Sequence, residues 1–259
     1  MSTNPIGIFD SGIGGTSIYQ EIHALLPYEN TIYLADSFNA PYGNKTQSEI
    51  IKLSIKNTEL LIKKNCKLIV VACNTATTNA IATLRANYKV PFIGIEPAIK
   101  PAALKTQTKA IGILATKGTL SSELFHTTTN LYSNGIEVIE QVGEGIVQLV
   151  EEGKATSEEM RQLLKKYLKP MIKANIDYLV LGCTHYPYLM PLLLEMLPKH
   201  VKIIDSGEAV ARQTKAILDK HLLLNSQTSD PTNEFFTNGS EAILNEILNN
   251  QYKVEFLQF

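Results

Sequence analysis

The chain has 259 residues, of which 44% are hydrophobic and 19% are charged, and its formal net charge at pH 7 is -1. This composition excludes a disordered chain, and the balanced charge is not that of a protein that binds nucleic acid or an anionic membrane through clustered Lys and Arg. We therefore expect a small-molecule partner, with no nucleic acid and no membrane.

The N-terminus and the cysteines indicate where the chain works. The opening residues "MSTNPIGIFDSG" lack a basic stretch, and Gly7 and Asp10 interrupt their apolar run, so we expect no signal peptide. No segment reaches the roughly 18 consecutive apolar residues of a membrane span. The three cysteines form no C-x-x-C pair, which argues against a disulfide framework and a structural zinc site. We expect a cytoplasmic protein with reduced thiols.

Short apolar runs alternate with longer segments of helical period, a pattern typical of β-α-β units and a parallel sheet. In chain order, strands are predicted over Ile6 to Phe9, Thr31 to Ala35, Leu68 to Ala72, Phe92 to Ile95, Ala110 to Leu114, Ile136 to Ile139, Tyr178 to Leu181 and Lys202 to Ile204.

Two of the segments between these strands predict long helices. The first, "SEIIKLSIKNTELLIKKN", places its apolar residues largely on one stripe, formed by Ile50, Leu53, Ile55, Leu60, Leu61 and Ile62. In the second, "TSEEMRQLLKKYLKPMIKAN", Thr156 or Ser157 can cap the helix, and Glu158 and Glu159 lie in its first turn.

The pattern of motifs is nearly doubled along the chain. One series runs from "PIGIFDSG" to "IVVACNT", and the other runs from "AIGILATKG" to "LVLGCTH". We therefore predict two similar parallel-sheet α/β domains related by pseudo-symmetry, with the active site in the cleft between them. The first comprises residues 1–96 plus 206–259, because the chain is expected to return to it, and the second comprises residues 97–205.

Cysteines follow two of the predicted strands in matching contexts. A lone cysteine is usually a small buried hydrophobe, which is our interpretation of Cys66. Ligands of open α/β sheets bind beyond the carboxyl ends of strands, so Cys73 and Cys183 are candidate acid-base groups. A thiol acts as a base only when ionised, and His185 can hold a proton near Cys183 because residues two apart on an extended chain share a side. Asp10 is the candidate for the matching part beside Cys73.

The stretch "FDSGIGGTS" allows three interpretations. As a dinucleotide fingerprint it offers Gly12 and Gly14, with Asp36 placed for the ribose, although Ser17 stands where the third glycine belongs. As a cradle of backbone N–H groups at a helix start, it would bind phosphate or carboxylate. As a tight turn between strand and helix, it would need glycine for its conformation alone.

Six motifs taken together resemble the glutamate racemases of the aspartate/glutamate racemase family, in order and spacing over most of the chain. They are "GIFDSGIGG", "APYG", "VACNTAT", "ATKGT", "LVEEG" and "LGCTHYP". The resemblance implies an isomerase that interconverts L- and D-glutamate without metal or pyridoxal cofactor. It also implies a supply of D-glutamate for peptidoglycan, and hence for cell-wall biogenesis and cell shape, by an enzyme that is often a homodimer.

The resemblance also assigns residues to the site. Cys73 and Cys183 match the two acid-base thiols, on the D-glutamate and L-glutamate sides respectively, and Asp10 and His185 match the groups that assist them. Glu151 is similar to a further acidic residue near the site. The positions that match substrate-binding residues are Asp10, Ser11, Pro41, Tyr42, Gly43, Asn74, Thr75, Thr116, Thr184 and His185.

The sequence departs from the family pattern in two places. It reads "ADSFNAPYG" where many members read "ADTARVPYG", and "VGEGIVQLVEEG" where they often read "CPLFVPLVEEG". The paired thiols are untouched by these changes.

Inverting a stereocentre without a cofactor requires a base on one face of the carbon and an acid on the other, which two thiols can supply. Three alternatives stay open. They are an aspartate or other amino-acid racemase of the same family, a dinucleotide-dependent oxidoreductase, and a non-catalytic amino-acid-binding protein.

Overall fold

The computed structural model describes residues 2–227 and 229–259, which form alternating strands and helices. The strands are β1 (Ile6–Asp10), β2 (Thr31–Ala35), β3 (Leu68–Val71), β4 (Phe92–Gly94), β5 (Ala110–Ala115), β6 (Glu137–Val142), β7 (Tyr178–Gly182), β8 (Lys202–Ile204), β9 (Asn233–Thr237) and β10 (Val254–Phe256). The helices are α1 (Thr16–Leu25), α2 (Gln47–Lys63), α3 (Asn74–Asn87), α4 (Ile99–Lys105), α5 (Lys117–Leu120), α6 (Glu123–Tyr132), α7 (Ile146–Glu151), α8 (Glu158–Lys173), α9 (Met190–Met196), α10 (Gly207–Lys220) and α11 (Glu241–Ile247).

The strands form two parallel sheets that share one strand order. The larger sheet runs β10-β9-β2-β1-β3-β4, and the smaller runs β6-β5-β7-β8. Every pair of hydrogen-bonded neighbours is parallel. Because β2-β1-β3-β4 and β6-β5-β7-β8 follow the same order, β3 and β7 are equivalent strands. The predicted α/β fold with two similar parallel sheets is confirmed.

The central strands are apolar almost to their carboxyl ends because helices cover both faces of each sheet. All residues of β1, β3, β5 and β7 are buried. At the edge of the smaller sheet, β6 is partly exposed. The sequence of these buried strands therefore contains few polar residues until the strands end, and the first polar side chains appear at their carboxyl ends.

The chain returns to the larger sheet after α10. Strand β9 pairs with β2 along its whole length, and β10 pairs with β9. The sequence predicted a return to the first half but no strands there, so β9 and β10 correct that expectation. Their short run "EFFT" follows a polar stretch, and its pairing depends on the exposed edge of β2 rather than on a strong local pattern.

The two sheets draw on different parts of the chain. Strands β1 to β4 and β9 to β10 build the larger sheet, and β5 to β8 build the smaller, so the chain crosses between them after β4 and after β8. We call the layers around these sheets the first half and the second half. The domain boundaries 1–96 plus 206–259 and 97–205 stay a prediction.

The two long predicted helices are α2 and α8. Ser157 caps α8 by accepting a hydrogen bond from Met160 N, and Thr46 caps α2 in a capping box with Glu49. The predicted apolar stripe of α2 was partly wrong, since its buried face contains Asn57 while Ile62 is 37% exposed. In the described part of the chain, no helix has both the length and the apolarity to cross a bilayer.

Candidate active site

Polar side chains gather where the central strands of both sheets end. Asp10 is the last residue of β1, Cys73 lies two residues beyond β3, Thr116 follows β5 and Cys183 follows β7. All four are buried. Ligands of doubly wound sheets bind at the carboxyl ends of the strands, at the point where the strand order reverses, and β1-β3 and β5-β7 are those points. The structure thus places both thiols at equivalent positions in the two halves.

Cys73 lies in a setting that favours the neutral thiol. Its Sγ accepts a hydrogen bond from Ala76 N at 3.4 Å, which caps α3, and lies 3.5 Å from Ser11 Oγ. Burial raises the pKa of Cys73 far above its ordinary value, and the nearby charge of Asp10 raises it further. In the free protein Cys73 therefore holds its proton.

Asp10 connects the two halves through a hydrogen bond with Thr184. Its Oδ1 accepts from Gly12 N at 2.8 Å, and its Oδ2 accepts from Thr184 Oγ1 at 3.0 Å. Burial raises the pKa of Asp10 to about 6, while the charge of His185 lowers it and that of Glu151 raises it. Asp10 is therefore able to change its protonation near neutral pH.

Cys183 has a histidine beside it rather than a carboxylate. His185 Nδ1 lies 3.7 Å from Cys183 Sγ, and His185 Nε2 lies 2.5 Å from Glu151 Oε1. Burial by itself would lower the pKa of His185, but its contacts with Cys183 and Glu151 raise that pKa well above the ordinary value. An imidazolium held between a sulfur and a carboxylate results.

Glu151 receives hydrogen bonds from both halves of the molecule. Its Oε1 accepts from Ile13 N at 2.7 Å as well as contacting His185, and its Oε2 accepts from Ser37 Oγ at 2.8 Å. Ile13 and Ser37 follow β1 and β2 of the first half, whereas Glu151 ends α7 of the second. The carboxylate therefore joins the halves next to His185, on the Cys183 side of the site.

The glycines of "FDSGIGGTS" make room for this histidine-carboxylate pair. A Cβ added at Gly12 would lie 1.9 Å from Glu151 Oε1, and one at Gly14 would lie 2.3 Å from His185 Nδ1. Asp36 is fully buried and accepts hydrogen bonds from Asn39 and Asn238. The dinucleotide interpretation was therefore wrong, because the chain's own side chains fill that space. The turn does bind a carboxylate through Ile13 N, but that carboxylate is Glu151.

Three threonines bridge the halves on the other side of the cleft. Thr75 Oγ1 lies 2.7 Å from Thr116 Oγ1 and 3.3 Å from Thr119 Oγ1, and the hydroxyls of Thr116 and Thr119 are 3.0 Å apart. Gly43 packs closely on this group, since a Cβ there would lie 2.9 Å from Thr116 Cβ. The structure thus brings Gly43, Thr75 and Thr116 together, and their role in ligand binding stays a prediction.

Asn74 and Tyr42 differ in what their side chains have left to offer a ligand. Asn74 is 3% exposed, and neither amide atom has a hydrogen-bond partner within residues 2–227 and 229–259. Because buried amides are normally paired, this one is available to a bound molecule. The Tyr42 hydroxyl, by contrast, is bonded to Asp36 and accepts from Asn57 at 3.2 Å. Only the backbone of Tyr42 is left for a ligand.

A cavity of about 300 Å³ opens next to this cleft. Its walls include Pro41, Gly43 and Thr116 from the predicted site, together with Gly143 and Gly145 from the loop before α7. The volume is that of a small-molecule site. In the part of the chain described, no cluster of three or more His, Cys, Asp or Glu side chains is arranged to hold a metal ion.

Comparison with known proteins identifies the family. A sequence model described as Asp/Glu/Hydantoin racemase matches residues 6–214. The chain belongs to this racemase family. The family match confirms the resemblance, and with it the prediction of an isomerase of the racemase class. The site described above is thus the candidate active site of a racemase-family enzyme.

Individual relatives resemble the chain over nearly its whole length. The glutamate racemase of Herpetosiphon aurantiacus is 44% identical over 242 residues, which are 93% of this chain and 95% of the relative. The solved structure of Francisella tularensis glutamate racemase with D-glutamate has a TM-score of 0.86 at 28% identity, covering 100% of this chain and 98% of that one. The Escherichia coli glutamate racemase with L-glutamate and the activator UDP-MurNAc-ala has a TM-score of 0.86 at 33% identity, covering 98% of each.

The candidate site contains groups that the sequence did not point to. Ser37 donates to Glu151, the backbone of Ile13 does the same, and the Tyr188 hydroxyl lies 2.5 Å from Thr16 Oγ1 beside the turn. The only signal for Ser37 was its place just beyond β2, next to Asp36. Nothing in the sequence indicated that Tyr188 lies near Thr16, since the contact joins residues far apart in the chain.

Proposed function

We propose that this protein is a glutamate racemase, which moves the α-proton of glutamate between two thiols on opposite faces of the substrate. The observation that carries the proposal is the equivalent placement of Cys73 beyond β3 and Cys183 beyond β7, each with its own charged partner. The choice of glutamate is supported by the relatives, several of which are glutamate racemases.

The charges beside the thiols give each one a starting role. Cys183 next to the His185 imidazolium is suited to be the base, because a neighbouring cation stabilises a thiolate. Cys73 keeps its proton and is suited to be the acid. On the assignment of faces implied by the family resemblance, Cys183 takes the proton of L-glutamate and Cys73 returns one to give D-glutamate.

The reverse reaction needs Cys73 as the base. Asp10 is the group that can help to remove its proton, since its pKa of about 6 lies near neutral pH. The Asp10 charge also disfavours a thiolate at Cys73 in the free protein. A thiolate on this side therefore forms as part of the reaction rather than in advance.

The carbanion formed between the two thiols needs preset dipoles around it. We assign substrate binding and charge stabilisation to Ser11, Asn74, Thr75, Thr116 and Thr184, with backbone groups of Pro41, Tyr42 and Gly43. The amide of Asn74 supports this assignment most directly, because it is buried and has no hydrogen-bond partner among the residues that the structure describes, so it can bind the amino or carboxylate group.

The first experiment is proton NMR of the purified protein in D2O with D-glutamate and no added cofactor. The α-proton signal should disappear while circular dichroism shows the loss of optical activity, since a thiol in D2O returns deuterium. The same measurement with aspartate would tell the two substrates apart. If the α-proton exchanges with aspartate and not with glutamate, the substrate is aspartate.

Three other outcomes would contradict the proposal. Retained optical activity with both amino acids would contradict racemisation altogether. A requirement for nicotinamide would favour an oxidoreductase, and tight glutamate binding without exchange would favour a binding protein.

Two parts of the proposed function rest on the family resemblance. The D-glutamate formed would supply peptidoglycan synthesis, and the enzyme would be a homodimer. Light scattering coupled to size-exclusion chromatography tests the second part, because a monomeric mass at working concentration would contradict it.

A further inference from the structure

Ser37 closes a hydrogen-bond chain that leads to one of the two thiols. Its Oγ donates to Glu151 Oε2 at 2.8 Å, the other oxygen of that carboxylate is 2.5 Å from His185 Nε2, and His185 Nδ1 is 3.7 Å from Cys183 Sγ. No corresponding contact joins Ser37 to Cys73 in the described residues. The chain thus serves the Cys183 side of the cleft.

The C-terminal segment packs against Ser37 and its neighbours through Asn238 and Gly239. Asn238, which follows β9, accepts a hydrogen bond from Phe38 N at 2.9 Å and donates to Asp36 Oδ1 at 2.5 Å. Gly239 packs directly against the serine, since a Cβ added there would lie 2.6 Å from Ser37 Cβ. The hydroxyl is therefore fixed in the first half while it binds a carboxylate of the second.

We propose that Ser37 is a positioning residue for proton transfer at Cys183, because it fixes the Glu151 carboxylate that orients His185. This inference rests on the proposed two-thiol racemisation. Ile13 N and His185 both bind Oε1, so Ser37 is the side chain that fixes Oε2 and stops the carboxylate from rotating. Loss of the serine hydroxyl leaves Glu151 free to turn away from the imidazole.

The test compares Ser37→Ala with Ser37→Thr, which keeps a hydroxyl. A matched control is Ser48→Ala, at an exposed serine on α2. Two enantiomers have an equilibrium constant of one, so a variant that changes kcat/KM must change it by the same factor in both directions. We expect Ser37→Ala to lower it roughly 3- to 15-fold, as for the loss of one hydrogen bond, while Ser37→Thr and Ser48→Ala stay near the wild-type value.

The isotope effect shows which thiol is affected. When transfer at Cys183 becomes slower, removal of deuterium by Cys183 limits the rate more, and removal of deuterium by Cys73 limits it less. With α-deuterated L- and D-glutamate, Ser37→Ala should therefore raise the isotope effect for one enantiomer and lower it for the other. His185→Asn sets the reference, because it acts on Cys183 directly, and Ser37→Ala should shift the two isotope effects in the same sense.

A second variant tests the position of Ser37 without removing its hydroxyl. Gly239→Ala places a methyl group against Ser37 Cβ and should displace the serine from Glu151. We expect the same isotope pattern as for Ser37→Ala. This agreement would support positioning over a direct role of the hydroxyl.

Two outcomes would overturn the inference. One is an unchanged kcat/KM in Ser37→Ala, and the other is a lower kcat/KM with isotope effects that change equally for both enantiomers, as a purely structural defect would give. Failure of the proposed function would look different, because the wild-type protein itself would then racemise neither substrate.

Discussion

The two candidate thiols differ in the charge that stands beside each one. Cys73 lies near the carboxylate of Asp10, and Cys183 lies beside His185, whose pKa is raised by its contacts with Cys183 and Glu151. In the proposed reaction this difference sets which thiol starts as the acid and which as the base. Substitutions of these residues should therefore act on the chemistry more than on the fold.

Replacing either thiol by a hydroxyl should remove racemisation. A hydroxyl of similar size is a much weaker acid and base at neutral pH, so Cys73→Ser and Cys183→Ser should each lower kcat roughly 100- to 10,000-fold. Circular dichroism and thermal melting should show an intact fold. Cys66→Ser is the matched control, because this buried cysteine lies beside Gly7 and away from the cleft. Near-normal rates in both site variants would contradict a two-thiol mechanism.

The acid limb of the activity profile should belong to Asp10. Its pKa of about 6 means that it loses its charge below that pH and can no longer take a proton from Cys73. We expect kcat/KM to fall as the pH drops through about 6. Asp10→Asn should lower activity at pH 8 and remove this limb. A wild-type profile that is flat from pH 5 to pH 8 would argue against Asp10 as the assisting group.

The same substitution should stabilise the protein. The pKa of Asp10 rises from 3.8 to about 6 on folding, so the folded state binds the proton more tightly, and stability falls as the pH rises from about 4 to 6. Above pH 6 the ionised carboxylate of Asp10 lowers the free energy of unfolding by about 3 kcal/mol. Asp10→Asn should therefore raise the free energy of unfolding by about 1 to 3 kcal/mol at pH 8 and by less at pH 4. Denaturant titrations at pH 8 and pH 4 measure this change in the free energy of unfolding. An equal change at both pH values would mean that the buried charge is not the cause.

At the scale of elements, the turn between β1 and α1 matters to the site because its glycines have no side chains. Gly12 and Gly14 leave space that Glu151 and His185 occupy. A side chain at either position would displace a charged group that reaches in from the second half. The turn therefore determines how closely the two halves can approach.

A methyl group at Gly12 should disrupt this approach. Gly12→Ala would put Cβ within 1.9 Å of Glu151 Oε1, and such overpacking costs roughly 1 to 3 kcal/mol. We expect a loss of racemisation of about 10-fold or more, measured as kcat/KM, because His185 loses its partner. Gly135→Ala is the control, since Gly135 has φ +73° and open space around it. It should cost about 1 kcal/mol of stability and leave activity unchanged. Equal activity loss in both variants would point to general destabilisation.

The sequence could predict elements with a strong local pattern and could not predict contacts between distant ones. Strands β1 to β8 lie where the apolar runs predicted strands, and Cys73 and Cys183 lie at strand ends. The stripe of α2 was partly wrong because Asn57, a polar residue, turns inward to the Tyr42 hydroxyl. The role of Gly12 was beyond reach, since its neighbour Glu151 lies in the other half. The roles of the site residues stay predictions until the variants are measured.

At the scale of the molecule, the C-terminal segment completes the larger sheet and supports the site. Strand β9 covers the edge of β2, and Asn238 also donates to the carbonyl of Phe259 at 3.3 Å. The sequence of β9 and β10 lacked a clear strand signal because such short strands are defined by the strand that they pair with. Their removal should affect the site as well as the fold.

Shortening the chain in two steps tests this support. A chain ending at residue 232 loses β9 and β10, exposes the edge of β2 and should aggregate or lose its cooperative melting transition. A chain ending at residue 256 keeps both strands and loses the contacts of the last three residues, among them the hydrogen bond from Leu257 N to Thr237 O and the contact of Asn238 with Phe259, so it should stay folded with a lower melting temperature. Size-exclusion chromatography and thermal melting measure both. A chain ending at residue 232 that is fully active and does not aggregate would contradict a supporting role.

In the proposed reaction, the two thiols exchange protonation states in each turnover, so the free enzyme exists in two forms that differ in which thiol carries the proton. In this proposed reaction, each conversion of L- to D-glutamate moves a proton onto Cys183 and takes one from Cys73, so the protein would release its product in the form that is ready for the opposite enantiomer. Before it can repeat the same conversion, the free enzyme must exchange protons back, and the buried carboxylate of Asp10 and the His185–Glu151 pair are the groups that can carry them. The proposed two-thiol reaction therefore predicts that, at high substrate concentration, this proton exchange in the free enzyme rather than the bond-breaking step limits the rate.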